Sequence, residues 1–239
     1  MPNLKPLKPH TRINDILLGP LERPALAWLA AHLPNRVSPD ILTFIGFLGA
    51  VVIFFSYLFS RSNPIFFWIA SLGLVINWFG DSLDGTVARY RHIERPKYGF
   101  FIDHTIDALN ETLIVLGLGL SPYVRFDVAC LVLIAYLLMS NLTFIRTYIQ
   151  GEFQLSYSKL GPTEVRVLLI LLNIGMYFAG PLTFSLARFE VSVYDLIVCL
   201  VSLLLLWFYL STTYQQAKIL RQAESRRAAQ ALEIEAAQE

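Results

Sequence analysis

Apolar residues in this chain gather into long runs separated by short polar or charged stretches. Six of the runs reach the length a helix needs to cross a bilayer. The first covers Ile41–Phe59 and is approached through Ser38-Pro39-Asp40, a helix start with proline in its first turn. The second begins near Pro64 and runs to Asp81, and the third begins near Gly99 and continues to Leu120, uniformly apolar only from Thr112. The fourth covers Val128–Ile145, the fifth Val167–Leu186 and the sixth Leu196–Tyr214. Before the first run, Ile13 to Leu33 mixes leucines and Trp28 with Glu22, Arg23 and His32. This is the pattern of an amphipathic helix lying in the membrane interface, interrupted by Pro20 and Pro24. After Gln215 the chain is rich in Ala, Gln, Glu and Arg and reads as a solvated helical extension. The expected fold is an all-α integral membrane protein with six transmembrane helices and an N-terminal interfacial helix. Its parts are a cytosolic segment 1–38, a six-span membrane domain 39–215 and a cytosolic helical tail 216–239, with no internal repeat and no separate soluble domain.

Composition agrees. Of 239 residues 55% are hydrophobic and 15% charged, against roughly 25% charged in a typical soluble domain, and the mean hydropathy is +0.54. A net charge of +1 gives no basic excess for nucleic acid. Cys130 and Cys199 both lie in apolar runs and read as small membrane-helix residues, not as a disulfide or metal pair. The first dozen residues are polar and Pro-rich, without the apolar core of a cleavable secretory signal.

Charge sets the expected orientation. With the N-terminus in the cytosol, all of the 19 Lys and Arg residues except Arg61, Arg125 and Arg188 fall on the cytosolic side. Both termini then face the cytosol, as does the junction of the second and third runs; in a bacterium the membrane is the inner one.

That junction holds the candidate chemistry. Residues 81–89 read D-S-L-D-G-T-V-A-R, and residues 99–107 read G-F-F-I-D-H-T-I-D. Asp81 and Asp84 are three apart, Asp103 and Asp107 four apart, so on helices each pair shares a face. Ionised carboxylates in apolar surroundings are costly unless compensated. Four together form an all-oxygen site suited to hard divalent cations, Mg²⁺ or Mn²⁺. Two such ions would clamp a transferring phosphoryl group. Arg89 offers a planar donor fork for phosphate, and Gly85 and Ala88 leave a groove in which a nucleotide can approach the backbone. Any one aspartate is equally well read as a helix-end charge; the constellation is not.

These residues resemble the signature D-x2-D-G-x2-A-R-x8-G-x3-D-x3-D of the CDP-alcohol phosphotransferase family, matched by Asp81, Asp84, Gly85, Ala88, Arg89, Gly99, Asp103 and Asp107. Nine residues, not eight, separate Arg89 from Gly99, a departure that falls in a connecting loop. The stretch S-P-D-I-L-T-F-I-G at 38–46 is also similar to the family's approach to its first span. The resemblance implies an enzyme of phospholipid synthesis that binds a CDP-linked alcohol in a cytosol-facing cavity and releases CMP. CDP-diacylglycerol is the expected donor. Asp81, Asp84, Asp103 and Asp107 would hold two metal ions, and Asp107 would also be the general base. Gly85, Ala88, Arg89 and Gly99 would line the CDP site. Members are often homodimers.

The acceptor site is less specified. Arg146, Lys159 and Arg166 surround the loop after the fourth run, where the family can hold an anionic acceptor such as a polyol phosphate; they serve equally as topology signal. The stretch K-L-G-P-T-E-V-R also resembles a segment of choline and ethanolamine phosphotransferases, which use a CDP-amino-alcohol and diacylglycerol. In that case Glu164 would meet an ammonium group; otherwise it is a helix N-terminal acid. Asn77 and Glu111 extend the acidic faces, and His104 is expected to face away from the metals. His10, His32 and His92 read as surface residues. Two other classes compete. An intramembrane prenyltransferase would show N-x3-D-x3-D and a second acidic motif in a later loop, which is missing between Arg146 and Val165. A cation transporter or channel would carry polar residues along several runs, whereas the last three are nearly all apolar.

Overall fold

The computed structural model describes residues 11–13, 17–150, 152–154, 161–186 and 189–236. Seven helices dominate the described chain: α1 (Gly19–His32), α2 (Pro39–Phe59), α3 (Phe66–Tyr90), α4 (Pro96–Leu120), α5 (Phe126–Gln150), α6 (Pro162–Ala179) and α7 (Val193–Ala236). Two short strand pairs complete it. β1 (Thr11–Ile13) runs parallel to β2 (Glu152–Gln154), and β3 (Thr183–Leu186) pairs antiparallel with β4 (Phe189–Ser192). The protein is an all-α membrane protein in which α2, α3, α5, α6 and α7 are long and apolar enough to span a bilayer. The third expected span, α4, has the same 25-residue length as α3 but is not among those five. Its first two-thirds carry Lys97, Asp103, His104, Asp107 and Glu111, so the site's own charges dilute its apolar character.

Helix ends follow local chemistry, and several differ from the apolar runs. The Ser38 hydroxyl caps α2 by accepting from the Ile41 amide at 3.3 Å, with Pro39 in the first turn. α3 continues past Asp81 to Tyr90, so the whole D-S-L-D-G-T-V-A-R stretch is helical. α6 begins at Pro162, ahead of the expected Val167, because Pro162 and Glu164 provide a helix start that a hydropathy count skips. It stops at Ala179, short of the expected Leu186. Gly180 has φ +69°, which glycine tolerates, and Pro181 follows. The residues beyond form β3, not helix. The helix expected at the interface, α1, starts at Gly19, later than Ile13, with Pro20 in its first turn and Pro24 inside it. The sixth span and the tail are one uninterrupted helix of 44 residues.

The tightest contact in the bundle is between α2 and α3. A Cβ on Gly80 would collide with the backbone of Gly46 and Leu42, and one on Gly49 would lie 2.6 Å from the Asn77 nitrogen. Small residues thus let two backbones touch, which seats Asn77 and Asp81 directly beside α2. Two apolar clusters lie along the bundle. One gathers Ile53, Tyr57, Phe67, Leu74, Leu118 and Met176; the other gathers Leu26, Ala30, Leu42, Leu83 and Val87, docking α1 on α3. Within the first, the Tyr57 hydroxyl donates to Asn173 Oδ1 at 2.9 Å and Asn173 Nδ2 donates to Ser71 Oγ at 3.1 Å, joining α2, α6 and α3. Large apolar side chains on α7, such as Leu200, Leu203 and Trp207, point outward, as a lipid-facing surface requires.

Candidate active site

On α3, Asn77, Asp81 and Asp84 follow one another at four and three residues, and on α4 Asp103, Asp107 and Glu111 at four and four. Each set therefore forms a stripe along one helix face. The fold brings the stripes together. One carboxylate oxygen from each of Asp81, Asp103 and Asp107 lies within 4.8 Å of the others, and all three residues are half-buried.

Asp84 is turned elsewhere: it accepts from the Thr43 hydroxyl of α2 at 2.6 Å and from its own Gly85 amide. It adjoins the three-acid group without sharing its centre. Thr43 gave no signal of its own, although it lies in the 38–46 segment already noted for its likeness to the family.

Arg166 occupies a different place from the one its sequence neighbours suggested. It is not part of a loop patch but sits in the second turn of α6, largely buried, with its guanidinium inside the acidic group. Nη2 donates to Asp81 Oδ2 at 2.7 Å and Nε donates to Asn77 Oδ1 at 2.8 Å. Asn77 Nδ2 in turn donates to the Gly46 carbonyl at 2.9 Å. Arg166 Nη1 is buried and has no hydrogen-bond partner among the described residues. The Tyr136 hydroxyl of α5 donates to Glu111, and both lie within electrostatic reach of Arg166. A polar tip in an otherwise apolar run was the only sequence trace of Tyr136. Of the other two basic residues, Arg146 is half-buried late in α5, and Lys159 lies outside the described residues.

Glu164 is buried, and backbone amides take both its oxygens: Oε2 accepts from Gly161 at 2.9 Å and Oε1 from Leu18 at 2.8 Å. That is the helix-start arrangement. Of the residues read as CDP-binding, Gly85 lies under the Arg89 guanidinium, whose Nη1 would be 3.2 Å from a Cβ there. Arg89 is exposed and within electrostatic reach of Asp84. Ala88 is half-exposed on the same helix. Gly99, at the start of α4, has no neighbour within 4 Å of where a Cβ would stand. His104 stacks on Phe100 at 4.1 Å between ring centres and meets Phe144 edge-on, with Nδ1 on the Phe100 carbonyl and 3.5 Å from Asp103.

Three converging carboxylates against one guanidinium leave an excess of negative charge among half-buried oxygens. Such a donor set fits hard divalent cations. Arg89, exposed two turns beyond Asp81 on α3, offers a donor fork to a phosphate-bearing group.

Comparison with known proteins points the same way. Residues 36–215 match the family model for CDP-alcohol phosphatidyltransferases. The chain is 38% identical over 104 residues to an archaetidylinositol phosphate synthase from Pyrococcus horikoshii, covering 44% of this chain and 52% of that protein. It is 36% identical over 99 residues to a phosphatidylinositol phosphate synthase from Cutibacterium acnes, covering 39% of this chain and 41% of that protein. The matched part thus spans about half the length of these relatives.

Proposed function

The chain belongs to the CDP-alcohol phosphatidyltransferase family, and from that premise we propose that it transfers a phosphatidyl group from CDP-diacylglycerol to the hydroxyl of a phosphorylated polyol, releasing CMP. The observation that carries this reading is the meeting of Asp81, Asp103 and Asp107 with the Arg166 guanidinium in one half-buried place. The carboxylates suit the cation-assisted half of the chemistry, and a buried arginine with an unused N–H suits an anionic acceptor. The names of both relatives specify an inositol phosphate lipid as product, which favours a phosphorylated polyol over a neutral alcohol.

In this reading Gly85, Ala88, Arg89 and Gly99 line the CDP site, where Arg89 offers its donor fork to the diphosphate. Asp81, Asp103 and Asp107, joined by Asp84 one turn on, hold two divalent ions, Mg²⁺ or Mn²⁺; when bound, these neutralise charge building on the phosphates. Asp107 takes the proton from the acceptor hydroxyl. The hydroxyl oxygen forms a bond to the β-phosphorus, and the bond from that phosphorus to the CMP oxygen breaks. Most of the rate enhancement comes from positioning and charge neutralisation. Arg166 binds the acceptor's phosphate. Both termini and the site face the cytosol, supported by the placement of Lys and Arg.

The other donor, a CDP-amino-alcohol, is suggested by the likeness of Lys159–Arg166 to a segment of choline and ethanolamine phosphotransferases, with Glu164 meeting the ammonium group. Both Glu164 oxygens are bound to backbone amides, which disfavours that contact. The test is to incubate purified protein with CDP-diacylglycerol and inositol phosphate, glycerol phosphate, inositol, glycerol or serine, and to measure CMP. Release is expected with a phosphorylated polyol. Release only with an uncharged alcohol, or only from CDP-ethanolamine and diacylglycerol, would reject this assignment.

A further inference from the structure

Arg166 meets Asn77 and Asp81 only if α6 sits at one particular height and rotation against α3. The helix that holds both of them is α1. A single oxygen of Glu22, Oε1, accepts two hydrogen bonds: from the Trp78 indole N–H at 2.8 Å and from the Thr163 hydroxyl at 2.8 Å. Trp78 directly follows Asn77 and precedes Asp81 by three residues; Thr163 precedes Arg166 by three. One carboxylate oxygen therefore ties α3 to α6 a single helical turn from each side of the Arg166 contact. A second tie runs from the Leu18 amide, just ahead of α1, to Glu164 Oε1. α1 is itself anchored on α3, since Leu26 and Ala30 are buried with Leu83 and Val87.

We propose that Glu22 is a positioning residue for Arg166: by fixing the first turn of α6 against α3, the N-terminal helix sets the enzyme's affinity for its phosphorylated acceptor. The inference rests on the proposed role of Arg166 as the acceptor's phosphate-binding group. A merely apolar cover over α3 would need Leu26 and Ala30 but no carboxylate. A half-buried acid aimed at two donors on two different helices is a choice of geometry, because hydrogen bonds to a charged acceptor are short and directional. A displacement of about 1 Å at a binding group is enough to weaken its contact with the bound group by about an order of magnitude.

The experiment compares Glu22→Ala, Glu22→Gln and Arg166→Ala with the parent. CMP release is measured against varied CDP-diacylglycerol and, separately, varied inositol phosphate and glycerol phosphate. Hydrogen–deuterium exchange is followed at the amides of Gly161 and residues 163–166. Glu22→Ala is expected to raise the acceptor KM about tenfold and to speed exchange at the start of α6, with kcat and the KM for CDP-diacylglycerol little changed. Glu22→Gln keeps Oε1 as an acceptor and should restore the parent values. Thr163→Val removes the same tie from the other helix and must reproduce the KM split, which keeps the test open should Glu22→Ala fail to fold. An unchanged acceptor KM in Glu22→Ala and Thr163→Val, beside a raised one in Arg166→Ala, overturns the positioning role alone. Both substrate KMs rising together, or no rescue by glutamine, marks a general structural role and also overturns it. An unchanged acceptor KM in Arg166→Ala removes the phosphate-binding reading and this inference with it.

Discussion

Each acid at the centre is held by different company, and the consequences of removing one differ accordingly. Asp107 stands beside Asp81 and Asp103 and is the proposed proton acceptor. Asp107→Asn is expected to abolish CMP release in a protein that still folds, since the swap keeps shape and removes only charge and basicity; turnover at the parent rate would end the assignment. Asp84 is oriented by the Thr43 hydroxyl. Thr43→Val keeps the packing and deletes that bond, worth about 1 kcal/mol. The Mg²⁺ concentration for half-maximal activity should rise about fivefold by the same energy, read by titrating the metal back into chelated enzyme. The approach of Asp81, Asp103 and Asp107 was legible in the sequence because spacings of three and four on a helix fix a shared face, but the same spacing did not show that Asp84 turns to Thr43. Arg166 was not placed correctly. A hydropathy count treats any arginine as a helix boundary, and its partner Asp81 is 85 residues away. Thr43 and Tyr136 were invisible for another reason: a threonine hydroxyl in a transmembrane run can bond its own backbone and a tyrosine ring packs as an apolar body, so only the facing helix shows what either hydroxyl does.

Between elements, the decisive contact is the glycine seam of α2 and α3. Gly80→Ala would push a methyl into the backbone of Gly46 and Leu42, with no flexible side chain there to give way. A loss of about 1–3 kcal/mol is expected, seen as a lower thermal midpoint together with lower activity, because Asp81 is the next residue. Gly175 makes the contrast. A Cβ there meets nothing within 4 Å, and alanine is the better helix former. Gly175→Ala should leave the midpoint equal or slightly higher and activity unchanged. The runs of apolar residues located α2 through α7 but misjudged ends wherever local chemistry outranked hydropathy: at Pro162 and Gly180 for α6, and in the charged first half of α4. Helix termination is written in single residues such as a proline or a positive-φ glycine, and a window average blurs them.

For the molecule as a whole, family membership and the acidic cluster together predict metal dependence. Chelation should stop CMP release, and added Mg²⁺ or Mn²⁺ should restore it while Ca²⁺ or monovalent salt should not; activity that survives exhaustive chelation contradicts the proposed chemistry. The acceptor stayed beyond reach of the sequence, since Arg166 of α6 meets Asn77 and Asp81 of α3 across more than eighty residues, and nothing in linear spacing reports that meeting. A last consequence concerns α7. At 44 residues it is about 66 Å long, whereas a hydrocarbon core absorbs about 30 Å. An upright helix of that length exceeds the core by about 36 Å, and we expect that remainder to stand clear of the lipid. A fluorophore or fused domain attached near its far end would be carried tens of ångströms from the bilayer and would turn with the enzyme, so its anisotropy would report tumbling of the whole body, not local wobble.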